Sequence, residues 1–124
     1  MQIDLNKYSS FVKEVTSKPS NDLTTFMNRL DDLDGNYDSA TDSHGPDVNV
    51  PLLITACLGL AAESGEFCEI PKKLLFTQAT LSDEKLINMK QKLGDIMFYW
   101  ATACRALHLD PNDVIQENIN KIVN

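Results

Sequence analysis

Hydrophobic residues recur at intervals of three and four positions along most of the chain, the spacing that places them on one face of an α-helix. The pattern predicts five helices, at approximately residues 4–17, 22–33, 50–75, 83–107 and 111–123. The alternation of polar and apolar residues that is typical of strands is missing from these segments. We therefore expect an all-α fold, a bundle of four or five helices. The short connection between the third and fourth helices would make them antiparallel neighbours.

Residues that can cap a helix N-terminus precede four of the five predicted helices: Asn21, Asn49, Ser82 and Asp110. Pro19 ends the first helix, because a proline disfavours the helical conformation of the residue before it. Pro71 lies inside the third helix and removes the hydrogen bond to the carbonyl of Phe67, so we expect a kink or a break there. His108 is expected at the end of the fourth helix, against its last carbonyl groups.

The segment 34–49 is rich in Asp, Ser, Asn, Gly and Pro and has almost no residue to bury. A loop of this length suggests function or mobility rather than a tight connection. It contains Tyr37 and His44. These side chains are either solvated or part of a lid that reaches a ligand, and the sequence leaves both alternatives open.

The chain has 124 residues, which is the size of one domain. We divide the predicted domain, 1–124, into an N-terminal helical pair (1–33), a loop (34–49) and the remaining helices (50–124). An all-helical chain this short often completes its core by association, so we expect a homodimer or a homotetramer.

The net charge of −7 at pH 7 argues against binding to nucleic acid or to an anionic membrane, since both need basic patches. The N-terminus lacks the basic and apolar regions of a signal peptide, and the apolar run Pro51–Ala62 is too short to span a bilayer. Cys57, Cys68 and Cys104 match neither a metal knuckle nor a disulfide framework, and we expect buried free thiols. These features predict a soluble cytoplasmic protein.

Acidic residues stand among the apolar positions of the third and fourth helices. Glu63 and Glu66 are three apart on the third, and Asp95 lies between Leu93 and the apolar run 96–100 on the fourth. Burying ionised carboxylates without a partner is costly, so a divalent cation among them would account for the pattern. On antiparallel helices the three would form an oxygen site suited to Mg²⁺ or Mn²⁺. Without further context, an ExxE pair is more often a solvated helix face.

Further context comes from four segments that occur in the order GLAAESGE (59–66), Lys72-Lys73, LGDIMFYW (93–100) and ENINK (117–121). Together they resemble the MazG-like nucleotide pyrophosphohydrolases, relatives of the all-α dimeric dUTPases and dCTP pyrophosphatases. The resemblance covers about residues 50–124, and residues 1–50 more weakly resemble the phage-borne members. It implies the all-α NTP pyrophosphatase fold. It also implies a Mg²⁺-dependent enzyme that hydrolyses a nucleoside triphosphate to the monophosphate and diphosphate.

The signature of that family is ExxE followed, on the next helix, by ExxD. The first pair matches Glu63 and Glu66 and the final aspartate matches Asp95, so the resemblance implies that these three are the metal ligands and the catalytic carboxylates. Lys92 stands where the third acidic residue is expected. It either contacts a phosphate in place of a metal ion, or leaves a weakened site or a chain that binds nucleotides without cleaving them. Glu69, one helical turn further on, is a candidate substitute ligand.

The resemblance further implies a set of substrate contacts: Lys73, Lys92, Tyr99, Asn118 and Lys121. Lys73 belongs to a basic pair suited to phosphates, and Asn118 and Lys121 match the late asparagine and lysine of the family. Tyr99 belongs to its aromatic pair. The alternatives are that the aromatic residues 98–100 form core and that Lys121 is a solvated helix end. We expect a purine preference, for dGTP or GTP.

Phosphoryl transfer requires a neutralised charge and a well-placed nucleophile. Glu63, Glu66 and Asp95 would hold one or two Mg²⁺ ions, and Glu63 or Glu66 would accept a proton from the attacking water. No Gly-rich phosphate loop is present, which excludes a P-loop NTPase. The expected function is therefore nucleotide-pool control, in the host cytoplasm if the protein is phage-encoded. The alternative, motivated by Lys92, is a non-catalytic nucleotide-binding or regulatory module.

Overall fold

The computed structural model describes residues 2–34, 37–38, 43–44 and 47–124. Most of these residues are helical, which confirms the all-α fold class. Six helices lie in the described part: α1 (Leu5–Val15), α2 (Lys18–Asn21), α3 (Leu23–Leu33), α4 (Val50–Phe76), α5 (Asp83–Ala106) and α6 (Pro111–Val123). The helix beyond the predicted five is α2, a single turn of four residues.

The chain divides into two compact units, residues 1–45 and 46–124. The first unit holds α1 to α3, and the second holds α4 to α6. Each unit is compact by itself. The single domain expected from chain length stays a prediction.

Local side-chain hydrogen bonds set the boundaries of α1. The Asp4 carboxylate accepts a hydrogen bond from the N–H of Lys7 at 3.2 Å and caps the start of the helix. The helix ends at Val15, two residues before the predicted end. Thr16 has left the helical conformation, and both its N–H and its hydroxyl donate to the carbonyl of Val12.

The predicted cap of the next long helix is wrong by one residue. Asn21 is the last residue of α2, and its amide donates to the carbonyl of Ser17 at 3.1 Å. Asp22 caps α3 instead, and its carboxylate accepts from the hydroxyl and the N–H of Thr25. These bonds, the hydroxyl first, lower the pKa of Asp22. The cap moves from Asn21 to Asp22 because of Pro19. This proline lies in the first turn of α2 and so starts a separate helix that includes Asn21.

A short antiparallel ladder follows α3. Its strands are β1 (Tyr37–Asp38) and β2 (Ser43–His44), and Tyr37 pairs with His44. The side chains of Tyr37 and His44 lie outside the described residues, as do residues 35–36, 39–42 and 45–46. The lid hypothesis for this segment therefore stays a prediction.

Predicted caps start the helices of the second unit. The Asn49 side chain accepts from the N–H of Leu52, and Ser82 and Asp110 cap α5 and α6 in the same way. Of the kink or break expected at Pro71, the break is wrong, because α4 continues through this residue to Phe76. The kink stays a prediction. A proline removes one internal hydrogen bond of a helix. The packing of α4 against α5 offsets that loss over a helix of 27 residues.

The two long helices α4 and α5 pack against each other in antiparallel orientation, as predicted. The N–H of Asn49, just before α4, donates to the carbonyl of Ala106 at the end of α5. Further along α4, Gly59 lies against the ring of Tyr99, and Glu63 contacts Lys92. As the residue number increases along α4, the number of the residue that it contacts on α5 decreases, which is the pattern of antiparallel helices.

Few of the described residues are buried, and their side chains are small. The buried ones are Val50, Ala56, Thr102, Cys104 and Ala106. Cys104 is buried as predicted, whereas Cys57 and Cys68 are exposed, so the expectation of three buried thiols is wrong for two of them. The reason is that both lie on α4, whose main packing contact within the chain is with α5.

His108 ends α5 with a left-handed turn. Its φ is 54°, its N–H donates to the carbonyl of Arg105, and the N–H of Leu109 donates to the carbonyl of Cys104. These two bonds form a Schellman motif, which satisfies the last carbonyl groups of the helix. The prediction that His108 lies at the helix end is confirmed, and its contact with the last carbonyls is made by the backbone N–H.

One helix of the described residues, α4, is long and apolar enough to cross a membrane, as judged by length and composition. The core helix of a soluble protein meets the same criteria. The helix α4 has 27 residues and extends beyond the apolar run Pro51–Ala62, which sequence analysis judged too short to span a bilayer. This property is weak evidence for a membrane location.

Candidate functional site

The contact between α4 and α5 is called the α4–α5 seam. Most of the predicted site residues of these two helices lie along it. The residues along the seam are Gly59, Glu63 and Glu66 on α4 and Lys92, Asp95 and Tyr99 on α5. On each helix they are separated by three or four positions, which places them on one helical face. The antiparallel packing brings the two faces together, as the sequence predicted for the three carboxylates.

Lys92 lies at the centre of these carboxylates. Its Nζ is 3.0 Å from Glu63 Oε2 and 3.9 Å from Asp95 Oδ2, and it also forms an ion pair with Glu66 Oε2. We call Glu63, Glu66 and Asp95 the carboxylate cluster. The cluster thus surrounds one cation, and that cation belongs to the chain itself.

The electrostatics of the cluster favour the charged form of Lys92. Hydrogen bonds to Glu66 and Glu63 raise the pKa of Lys92 above its ordinary value. Its side chain is 29% exposed and that of Glu63 is 19% exposed, whereas Glu66 and Asp95 are more than half exposed. One ammonium balances one of three carboxylate charges, so the cluster keeps an excess of negative charge on its solvent side.

The donor chemistry of the cluster matches Mg²⁺, because carboxylate oxygens from two helices converge on one cation. The ammonium of Lys92 lies among these oxygens. Among the described residues, no group of three or more His, Cys, Asp or Glu side chains is arranged to hold a metal ion. Glu63, Glu66 and Asp95 would therefore hold Mg²⁺ only after Lys92 has moved out of the cluster.

Glu69 does not join the cluster. Its carboxylate is 3.4 Å from Lys72 Nζ, and both side chains are exposed on the surface of α4. The suggestion that Glu69 replaces the missing acidic ligand therefore has no support in the geometry. Position 69 lies a further turn along α4, past the level at which Lys92 crosses the seam.

Tyr99 has a packing role in the seam. A methyl group at Gly59 would overlap the ring of Tyr99, so the two helices approach closely at this point. The ring of Tyr99 also meets that of Phe98 edge-on, with centroids 5.2 Å apart. Tyr99 is half-buried, whereas Phe98 is 65% exposed. Sequence analysis assigned no role to Gly59, although an isolated glycine inside a helical pattern often has a packing reason.

The remaining predicted substrate contacts lie apart from the cluster in the described structure. Lys73 is exposed near the end of α4, and Asn118 and Lys121 are exposed on α6. Within the described part of the chain, no hydrogen bond or ion pair joins these three side chains to the carboxylate cluster. Their roles in substrate binding stay predictions.

Comparisons with family models, with curated proteins and with solved structures find no match to this chain.

Proposed function

We propose that this chain is a MazG-like, Mg²⁺-dependent nucleoside triphosphate pyrophosphohydrolase that forms the monophosphate and diphosphate. The observation that supports the proposal is the convergence of Glu63, Glu66 and Asp95, from two helices, around one cation position. These are the carboxylates that the sequence motifs single out. Their meeting across the α4–α5 seam is what such a site requires.

In this proposal each cluster residue has a separate task. Asp95 and Glu66, which are the more exposed, face the solvent side and would meet the substrate. Glu63 or Glu66 would accept the proton of the attacking water. Mg²⁺ held by the three carboxylates would neutralise phosphate charge and lower the pKa of that water. Lys92 would have to leave the cluster before this arrangement forms.

The nucleotide would extend from the cluster toward exposed polar groups. Lys73 and Lys121 would contact phosphates, and Asn118 and Tyr99 would contact the nucleoside. We propose a purine substrate, dGTP or GTP, and a role in nucleotide-pool control in the cytoplasm.

A second function is favoured by Lys92 itself. Because its ammonium contacts all three carboxylates, the cluster has a cation without any metal. A chain of this kind would bind nucleotides without hydrolysing them and would act as a regulatory module. In this alternative the nucleotide is a ligand of the protein and not its substrate.

We also propose that the protein is a homodimer or a homotetramer. Large hydrophobic side chains are exposed on helices of both units, and exposed apolar patches mark protein–protein interaction sites. Exposed apolar side chains on the second unit, among them Leu58 and Phe76, support a second copy as the cover.

The test is a panel of ribonucleoside and deoxyribonucleoside triphosphates, each incubated with Mg²⁺ or Mn²⁺, with products resolved by chromatography. The enzyme predicts monophosphate and diphosphate from one or two nucleotides. Nucleoside diphosphate and phosphate as products would contradict the proposed reaction. A nucleotide that raises the melting temperature without any product would support the binding module, since a ligand of the folded state stabilises it.

Variants locate the activity in the cluster. Glu66→Gln and Asp95→Asn should lower diphosphate release by about a hundredfold or more. Glu69→Gln is the matched control, because it removes an exposed carboxylate of α4 that pairs with Lys72 outside the cluster. Equal losses in all three variants would contradict the assignment of the site.

A further inference from the structure

The carboxylate cluster is already neutralised in part by a group of the same chain. Lys92 reaches it from α5, on the same face as Asp95 and three positions before it. Its ammonium lies within ion-pair distance of both glutamates of α4 and of Asp95. The ion pairs to Glu63 and Glu66 join the two helices, so Lys92 bridges the seam.

We propose that Lys92 is a tethered cation that takes the place of a divalent metal ion and competes with it for the carboxylate cluster. The inference rests on the proposed function only for the position of the metal. Two cations that share the same oxygens repel each other strongly at a distance of a few ångströms. Lys92 and a metal ion therefore occupy the cluster one at a time.

The tether gives Lys92 an advantage over a free ion. A side chain that is already attached loses no translational freedom when it enters the site, whereas an ion from solution does. Lys92 therefore keeps the seam paired in the absence of metal. A divalent ion gains access only where its attraction to three carboxylates exceeds that of the ammonium.

The direct test is the affinity for Mn²⁺ alone, measured by the electron paramagnetic resonance signal of the free ion. Lys92→Met keeps a linear side chain and removes the charge. We expect Mn²⁺ to bind this variant about tenfold more tightly than the wild-type protein, or more. Lys90→Met is the matched control, because it makes the same charge change on α5 at a position that faces away from the cluster. Its affinity should equal that of the wild type.

Two results would overturn the inference. One is a Lys92→Met protein that binds Mn²⁺ no more tightly than the Lys90→Met protein. The other is a wild-type protein that loses its helical circular dichroism when metal is removed with EDTA, which would mean that the seam needs a metal ion. Lys92→Gln serves for the same comparison if circular dichroism shows that Lys92→Met is unfolded.

The outcomes separate this inference from the proposed function. If Mn²⁺ binds Lys92→Met more tightly and no variant hydrolyses any nucleotide, the inference stands and the enzyme does not. If the wild-type protein hydrolyses a nucleotide and Lys92→Met gains no affinity for Mn²⁺, the enzyme stands and the tethered cation does not.

Discussion

At His108 the backbone takes a left-handed conformation, with φ of 54°, in a residue that carries a Cβ. For such residues this conformation costs about 1–2 kcal/mol, and glycine adopts it without that cost. The position is the residue that follows the cap of α5, where glycine is the usual choice. His108→Gly should therefore raise the free energy of unfolding by about 1 kcal/mol, measured by chemical denaturation.

His108→Ala is the control for that measurement, because alanine keeps the Cβ and should gain little. A loss of stability in His108→Gly would contradict the strain argument. It would indicate that the imidazole makes a favourable contact that outweighs the backbone cost.

Residue-scale signals explain how much of the structure the sequence could predict. The side chains of Asn49, Ser82 and Asp110 each accept a hydrogen bond from a backbone N–H two or three positions later. Such caps are local, so the sequence predicts them. Asn21 and Asp22 are adjacent and both able to cap, and the prediction chose the wrong one. Lys92 was expected at the site, but its pairing with the three carboxylates was not predictable, because that depends on which side chains of α4 face it.

At the scale of elements, the α4–α5 pair depends on the glycine that lets the helices approach. A Cβ at Gly59 would overlap the ring of Tyr99, whereas a Cβ at Gly65 meets nothing within 4 Å. Gly59→Ala should lower the free energy of unfolding by about 1–3 kcal/mol, the usual cost of overpacking. Gly65→Ala should raise it by about 0.5–1 kcal/mol, because alanine favours the helix.

Chemical denaturation of the two variants measures this difference on one helix. The prediction is contradicted if both alanine variants are stabilised to the same degree. In that case Tyr99 moves freely away from α4, and the seam is not fixed at this point.

The element scale also shows where the sequence could not decide. The continuation of α4 through Pro71 depends on packing against α5 rather than on local preference, so a break was the natural expectation. The carboxylates, by contrast, were predicted to converge, because the short connection between the two helices fixes their antiparallel order.

At the scale of the whole molecule, the described part of one chain buries few side chains. The buried hydrophobic residues of the described part are Val50, Ala56, Cys104 and Ala106, none of them large. We expect the protein to elute as a dimer or a tetramer in size-exclusion chromatography with light scattering, at micromolar concentration. A folded monomer, with full helical circular dichroism after dilution, would contradict the proposed assembly.

Lys92→Glu tests the central claim most directly, because it restores a carboxylate at the centre of the cluster. The measurement is diphosphate release from the triphosphate panel by wild-type and variant protein at the same Mg²⁺ concentration. The account predicts faster release by Lys92→Glu, and loss of that release when Asp95→Asn is added. A folded Lys92→Glu protein that releases less diphosphate than the wild type would contradict it, and so would the absence of release from both proteins.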